Sequence, residues 1–72
     1  MKGFIEFTDI LGDMVLLNVE CISAVVYNSY KSEAMKKPIC RICHKDGFQA
    51  SFEVYATFET VIEKIEKAKN ED

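Results

Sequence analysis

The residue types best suited to chemistry are grouped in one string, Cys40-Arg41-Ile42-Cys43-His44. The spacing C-x-x-C-H matches covalent haem attachment of the c type, and two cysteines three residues apart are also half of a zinc site. Zinc would require Cys21 or a second subunit to complete a tetrahedral set of ligands. The string lies in a predicted β-strand, however, where residues three apart extend from opposite faces. We therefore expect two separate thiols at Cys40 and Cys43, and neither a metal nor a cofactor.

His44 is a poor candidate for catalysis, because it is the single histidine of the chain. Its neighbour Cys43 extends from the opposite face of an extended strand, so no Cys-His or Ser-His-Asp arrangement follows from the sequence. The three glycines stand at separate positions and form no glycine-rich phosphate loop. We expect a protein that is not an enzyme.

A locally basic segment, 28–45, lies within a chain whose net charge is -3. A segment of this kind can bind an acidic protein surface or a phosphate-bearing ligand through charge-assisted hydrogen bonds and stacking. It is also typical of a solvated hairpin loop whose lysines keep a sheet edge unpaired. The candidate binding residues are the cations and aromatic side chains of this region: Tyr27, Tyr30, Lys36, Lys37, Arg41 and His44.

The acidic balance of the whole chain, with a pI near 5.1, disfavours nucleic acid as a partner, because domains that bind it usually carry clustered basic residues. Single-strand binding on the sheet would need exposed aromatic residues, for which Phe4, Tyr27 and Tyr55 are the candidates. Glu6 falls where a signal peptide needs its apolar stretch, and no later run is long enough to cross a membrane. With three cysteines, an odd number, these features predict a cytoplasmic protein with reduced thiols and no membrane contact.

The length of the chain sets its size class. Seventy-two residues, 49% of them hydrophobic, predict one domain, 1–72. A domain of this size buries only about 60% of the surface that its unfolded chain exposes. Self-association would add buried area, so we expect a homodimer or a higher oligomer.

The secondary structure follows from alternation and capping signals. A helix is predicted after Thr57, which is a good N-cap, and the helix carries an apolar stripe. The expected fold class is α+β, an antiparallel meander of about five strands with one C-terminal helix packed on one face. The predicted strands are Gly3–Thr8, Met14–Asn18, Ile22–Tyr27, Ile39–His44 and Phe48–Tyr55, and the helix stripe is Phe58, Val61, Ile62, Ile65 and Ala68.

The first hairpin has an unusual tip. Gly12 is expected to supply a positive φ, and Asp9 to cap the turn through its side chain. Ile10 and Leu11 are apolar for such a position, so they either fold back over the sheet or contact a partner. The strand Met14–Asn18 is apolar on both faces, which predicts a central strand covered by the helix on one side and by another subunit on the other.

The later segments follow simpler patterns. Alternation places Ile22, Ala24 and Val26 on one face of the third strand. The polar segment 28–38, which ends at the single proline, predicts a long, mobile hairpin loop. The string Lys45-Asp46-Gly47 predicts a tight turn. In the last strand the residues expected to face the core are Phe48, Ala50, Phe52 and Val54.

Turn and core positions between Phe7 and Ile65 follow a recognisable order. They are Phe7-Thr8, Gly12, Leu16-Leu17-Asn18, Ile22, Val25, Asp46-Gly47, Val54, Thr57, Val61 and Ile65. This order resembles the small FlbD-like family associated with bacterial flagellar and swarming motility, and similar short proteins of bacterial and phage genomes. The chain departs from that pattern at Ile10-Leu11 and at the insertion 28–38. The resemblance implies a shared fold and no catalytic residues.

Together these observations predict a non-enzymatic interaction or regulatory protein, a small adaptor of bacterial or phage origin that acts as an oligomer. Its binding surface would be the segment 28–38 together with Arg41 and His44. The alternative is an oligomer that sequesters a small anionic, nucleotide-like ligand. The residues that would enclose this ligand, contributed by neighbouring subunits, are Tyr27, Tyr30, Lys36, Lys37 and Arg41.

Overall fold

The structure, a computed structural model, describes residues 3–45 and 49–70. These residues form five antiparallel strands, two α-helices and one 3-10 turn, so the predicted α+β class with a C-terminal helix is confirmed. The predicted turn at Asp46-Gly47 and the expected direction of Phe48 lie outside the described residues. The elements are β1 (Phe4–Thr8), β2 (Met14–Asn18), β3 (Ile22–Tyr27), α1 (Ser29–Met35), β4 (Cys40–Lys45), β5 (Gln49–Val54) and α2 (Phe58–Lys69).

The five strands lie in two sheets. β1 pairs with β2, and a second sheet has the order β3-β4-β5. The sheets meet where β1 ends, because Asp9 forms a bridge with Val54 and the Ile10 N–H donates to the Glu53 carbonyl (2.9 Å). The strands therefore follow the spatial order β2-β1-β5-β4-β3, and β2 and β3 lie at the two edges.

The first turn forms as its residue types predict. Gly12 has a φ of 92°, in the left-handed region that glycine adopts without a steric cost. The Asp9 carboxylate accepts hydrogen bonds from the backbone N–H groups of Leu11 (3.0 Å) and Asp13 (2.9 Å). Asp9 therefore stabilises the turn through its own hydrogen bonds, and the residues at the tip are free to extend from the sheet.

The prediction that β2 is a central strand is wrong, because its described partner is β1 alone. The Asn18 side chain accepts a hydrogen bond from the Glu20 N–H (2.9 Å) and caps the 3-10 turn Val19–Cys21. This turn buries Val19 and separates β2 from β3, so the two strands do not pair as they would in one continuous meander. Apolar residues on both faces of β2 thus mark an exposed edge rather than the middle of a sheet.

The third strand departs from simple alternation at Ser23. Pairing with β4 is irregular between Ile22 and Ala24, and the Ser23 hydroxyl donates to a backbone carbonyl of β4 (3.2 Å). Such a β-bulge inserts one residue and reverses the faces that follow it. Ile22 and Val25 pack against the core, whereas Ala24 and Val26 are exposed. The prediction that Ile22, Ala24 and Val26 share one face is therefore wrong.

The prediction of a mobile loop over 28–38 is also wrong, because the segment contains the helix α1. Asn28 is its N-cap, and the Asn28 side chain accepts a hydrogen bond from the Lys31 N–H (3.0 Å). Lys36 ends the helix in the left-handed conformation, with a φ of 56°. A helix of 7 residues is too short to show an apolar period, which is why the pattern of the sequence indicated a loop.

The core lies between the sheets and α2. α2 begins at its predicted N-cap, where the Thr57 hydroxyl accepts a hydrogen bond from the Thr60 N–H (3.1 Å), and it packs against β1, β3 and the 3-10 turn. Every strand except β2 and β3 contributes a buried side chain, so the core is centred on β1, β4 and β5. The buried cluster consists of Ile5, Phe7, Val19, Cys40, Ile42, Val54, Val61, Ile65 and Ala68.

Candidate binding groove

A groove of about 450 Å³ opens between α1, the tip of the first hairpin and the outward face of β4 and β5. Its walls combine charged and apolar groups on a rigid base of paired strands. This combination is typical of protein-binding sites, in which a few polar groups orient a partner whose apolar side chain is buried. The lining residues are Asp9, Ile10, Leu11, Lys31, Arg41, Ser51, Phe52 and Glu53.

Glu53 is the polar centre of the groove. The ammonium of Lys31 lies 2.6 Å from one carboxylate oxygen, and the Asn28 side-chain amide donates to the other oxygen (3.3 Å). The hydrogen bond from Lys31, its charge, the bond from Asn28 and the charge of Arg41 together hold the pKa of Glu53 below its usual value. The carboxylate therefore stays ionised and ties α1 to β5.

Arg41 lies on the outward face of β4, where Val26 of β3 and Glu53 of β5 are its cross-strand neighbours. Its side chain is exposed. Glu53 accepts its hydrogen bonds from Lys31 and Asn28, so Arg41 acts on it through charge. Arg41 lines the groove, and its planar guanidinium, with five N–H donors, can bind a carboxylate of a partner.

Leu11 stands at the rim of the groove with 83% of its side chain exposed. The sequence left two alternatives for Leu11, which either folds back over the sheet or contacts a partner. A side chain this exposed does not fold back over the sheet. Its neighbour Ile10 is half-buried, since its backbone bonds to β5. The hairpin tip therefore presents one large apolar side chain at the rim of the groove that Arg41 also lines.

Ser32 is a positioning residue that sequence analysis missed. Its hydroxyl accepts a hydrogen bond from the Ile39 N–H (2.8 Å) and lies 3.4 Å from the Ile39 carbonyl. Both residues are buried, so this contact fixes α1 against the start of β4. The signal that could have revealed α1 is Asn28, an N-cap residue type three positions before Lys31.

The predicted binding residues before, within and after α1 do not form one cluster. Tyr27 ends β3, and Tyr30 on α1 is the most exposed large apolar side chain of the described residues, at 86%. Lys36 forms the C-cap of α1. The ammonium of Lys37 lies 5.0 Å above the ring of Tyr55, which is a cation–π contact away from the groove.

Arg41 and His44 extend from opposite faces of β4. β4 pairs with β5 without interruption from Cys40 to Lys45, so the two side chains, three residues apart, alternate to different sides. The His44 ring is half-buried and lies 5.8 Å from the ring of Phe52. Of the six predicted residues, Arg41 is the one that lines the groove.

The cysteines lie as the strand prediction requires. Cys40 is buried, and burial together with the nearby charge of Glu59 raises the pKa of its thiol. Cys43 is half-buried on the opposite face of β4, and Cys21 ends the 3-10 turn. Within residues 3–45 and 49–70, no three side chains of the types His, Cys, Asp and Glu are grouped to hold a metal ion.

Comparisons of the chain with protein-family models, with curated proteins and with solved structures gave no match. In the part of the chain that the structure describes, no helix has the length and apolar character needed to cross a membrane.

Proposed function

We propose that this chain is a non-enzymatic interaction protein, a small cytoplasmic adaptor of bacterial or phage type that acts as an oligomer. Its groove binds a segment of a partner protein that carries an apolar side chain next to a carboxylate. The observation that carries this proposal is the position of Leu11, which extends into solvent at the rim of a groove that also contains Arg41.

The charges of the groove favour a protein segment over a nucleotide-like anion. Lys31 is already paired with Glu53, so a phosphate group would have to compete with a carboxylate held at 2.6 Å. Arg41 then remains to bind one carboxylate, and Leu11 to bury against one apolar side chain. Arginine is enriched among the residues that contribute most to the binding free energy of an interface, and burial of Leu11 against an apolar side chain adds a hydrophobic contribution.

The test is a selection of binding peptides from a random linear library on the wild-type protein, with counter-selection on the bare support. We expect enriched peptides that combine an apolar and an acidic residue. Leu11→Ser and Arg41→Gln should each weaken their binding at least about tenfold, measured by fluorescence anisotropy, because each removes one of the two contacts.

Tyr30→Ser is the matched control, because Tyr30 is as exposed as Leu11 but does not line the groove. It should leave peptide affinity unchanged. Peptides that bind Leu11→Ser and Arg41→Gln as tightly as the wild type, or a selection that enriches no peptide, would contradict the proposal. Inorganic phosphate that displaces the peptide at micromolar concentration would favour the anion-binding alternative instead.

A further inference from the structure

The hydrogen bonds of the first hairpin determine which backbone groups of β2 point away from β1. The Asp9 N–H donates to the Asp13 carbonyl (2.9 Å), and at the far end the Val19 N–H donates to the Gly3 carbonyl (2.7 Å). Both bonds continue the register of the two strands. In an antiparallel ladder, hydrogen-bonded pairs alternate with pairs that form no bond, so every second residue of β2 bonds to β1.

Between those two bonds, Val15 and Leu17 are the residues of β2 that bond to β1. The N–H and carbonyl groups of Met14, Leu16 and Asn18 therefore point away from the hairpin. β1 is the partner of β2 among the described residues, so these groups form an open edge of the sheet, apart from the Asn18 carbonyl, which begins the 3-10 turn that Asn18 caps. Such an edge is a template for another strand.

The side chains of β2 do nothing to block this edge. The strand contains no charged residue, no proline and no bulge, which are the usual devices that keep an edge from pairing. Met14 and Leu16 are 68% and 56% exposed, respectively. An uncharged strand can lie beside a copy of itself without like-charge repulsion.

We propose that a second copy of this chain pairs with β2 in antiparallel orientation, with Leu16 on the two-fold axis. In this register Leu16 lies opposite Leu16 of the second copy, and Met14 lies opposite Asn18. Each outward N–H of the three residues then faces a carbonyl of the second copy, and the Asn18 carbonyl accepts this bond in addition to the one from the 3-10 turn. A shift of two residues leaves one end of the edge unpaired. Symmetry of this kind is the commonest in soluble homodimers.

The same register also brings together the half-buried residues on the inner face of β2. Val15 of each copy lies opposite Leu17 of the other, in the pairs without hydrogen bonds, where Cα atoms approach to about 4.5 Å. Leu17 already packs against the core cluster. Pairing therefore extends the apolar core of one copy toward that of the other.

Glu6, the charged residue beside the axis, does not oppose this arrangement. The acidic residues that the register brings closest are Asp13 of one copy and Glu20 of the other, both exposed and just beyond the ends of the paired strands. Glu6 lies on β1 opposite Leu16, so three strand spacings, about 14 Å, separate Glu6 in the two copies. Exposed charges this far apart are largely screened, since the Debye length is about 8 Å at physiological ionic strength.

This inference specifies the oligomeric part of the proposed function and is tested without a partner protein. The variants Leu16→Lys and Leu16→Glu are each measured alone and then mixed, by native mass spectrometry and sedimentation. The wild type should have twice the chain mass of 8.2 kDa. Each variant alone should dissociate at least about tenfold more readily, because two like charges lie directly opposite each other on the axis.

Mixing the two variants should restore a dimer that contains one copy of each, because only a residue on the two-fold axis faces its own counterpart. Val26→Lys is the matched control, as Val26 is an exposed apolar residue of the other edge strand, β3. It should leave the dimer unchanged. A monomeric wild type, a dimer that persists in Leu16→Lys and Leu16→Glu, or a mixture without heterodimer would overturn the pairing. Peptide binding in the groove does not involve Leu16, so a monomeric wild type that still binds peptide would overturn the pairing and leave the peptide-binding part of the proposed function intact.

Discussion

The two edge strands, β2 and β3, differ in how well they are protected from pairing with another strand. β3 carries a bulge at Ser23, continues directly into the Asn28-capped helix α1, and lies against α2. β2 has a regular register over all five residues and carries two exposed apolar side chains, Met14 and Leu16. Bulges and covering helices prevent an edge from pairing, whereas a flat apolar edge invites it.

This difference shows that protection of the edges is local rather than a property of the whole chain. The residues that protect β3 are polar and make specific bonds, such as the one from the Ser23 hydroxyl to β4 (3.2 Å). β2 has the composition of a buried strand without being buried. We infer that its apolar character is retained for contact with a second chain, while β3 and α1 are shaped to support the groove.

The largest expected effect contrasts the core with the open edge. Ile42 is fully buried in β4, so Ile42→Ala should lower the free energy of unfolding by about 3 kcal/mol through lost packing and the cavity that remains. Leu16→Ala, a matched aliphatic truncation on β2, should change the stability of the monomer by less than about 0.5 kcal/mol. Urea denaturation at low protein concentration measures both. Equal losses would mean that the two sites are buried alike in the monomer.

The next effect tests the hydrogen bond that holds α1 against the start of β4. Ser32→Ala should lower the free energy of unfolding by about 2 kcal/mol, because the buried N–H of Ile39 loses the hydroxyl that accepts its hydrogen bond. Ser29→Ala, at an exposed position of the same helix, is the control and should have little effect. If the two variants are equally stable in thermal denaturation, α1 is not held by Ser32.

The smallest effect concerns the ion pair that fixes α1 to β5. Glu53→Gln should cost about 1 kcal/mol at neutral pH, because Lys31 is nearly half exposed and solvent weakens the pair. The folded-state pKa of Glu53 lies below the ordinary value of 4.5, so its contribution is complete above that value. It is lost as the pH falls below 4.5 and through the lowered folded-state pKa.

The pH dependence separates this carboxylate from the others. The difference in unfolding free energy between wild type and Glu53→Gln should be constant near neutral pH and shrink as the pH is lowered from about 5 toward 3. Glu6→Gln, on the exposed face of β1, is the control and should remain close to the wild type. A difference that stays constant over this range would show that the carboxylate charge of Glu53 does not stabilise the fold.

Local signals in the sequence predicted much of the fold. The alternation of β1, the turn at Gly12 and the Thr57 cap of α2 all depend on residues within one element, and each was identified correctly. The bulge of β3 was missed because the apolar pattern of a strand does not show where one extra residue is inserted. The edge position of β2 was missed because apolar residues on both faces are also expected of a central strand.

The groove was predicted less well than the fold, because its contacts are distant in sequence. Arg41 was identified from its charge within a basic segment. Lys31 and Glu53 are 22 positions apart, so their ion pair depends on how α1 lies against β5. Ser32 could not be predicted, because a serine in a polar segment is common. Its importance depends on the hydrogen bond that its hydroxyl accepts from the buried Ile39 N–H.

The most direct test of the account is hydrogen exchange of the backbone amides of β2, followed by NMR over a series of protein concentrations. Protection of Met14, Leu16 and Asn18 should rise with concentration as the edges pair. Val15 and Leu17, whose amides bond to β1, should be protected at every concentration and serve as internal controls. If the amides of Val25 and Tyr27 in β3 respond instead, or if those of Met14, Leu16 and Asn18 exchange at a constant rate throughout, β2 is not the edge through which this chain associates.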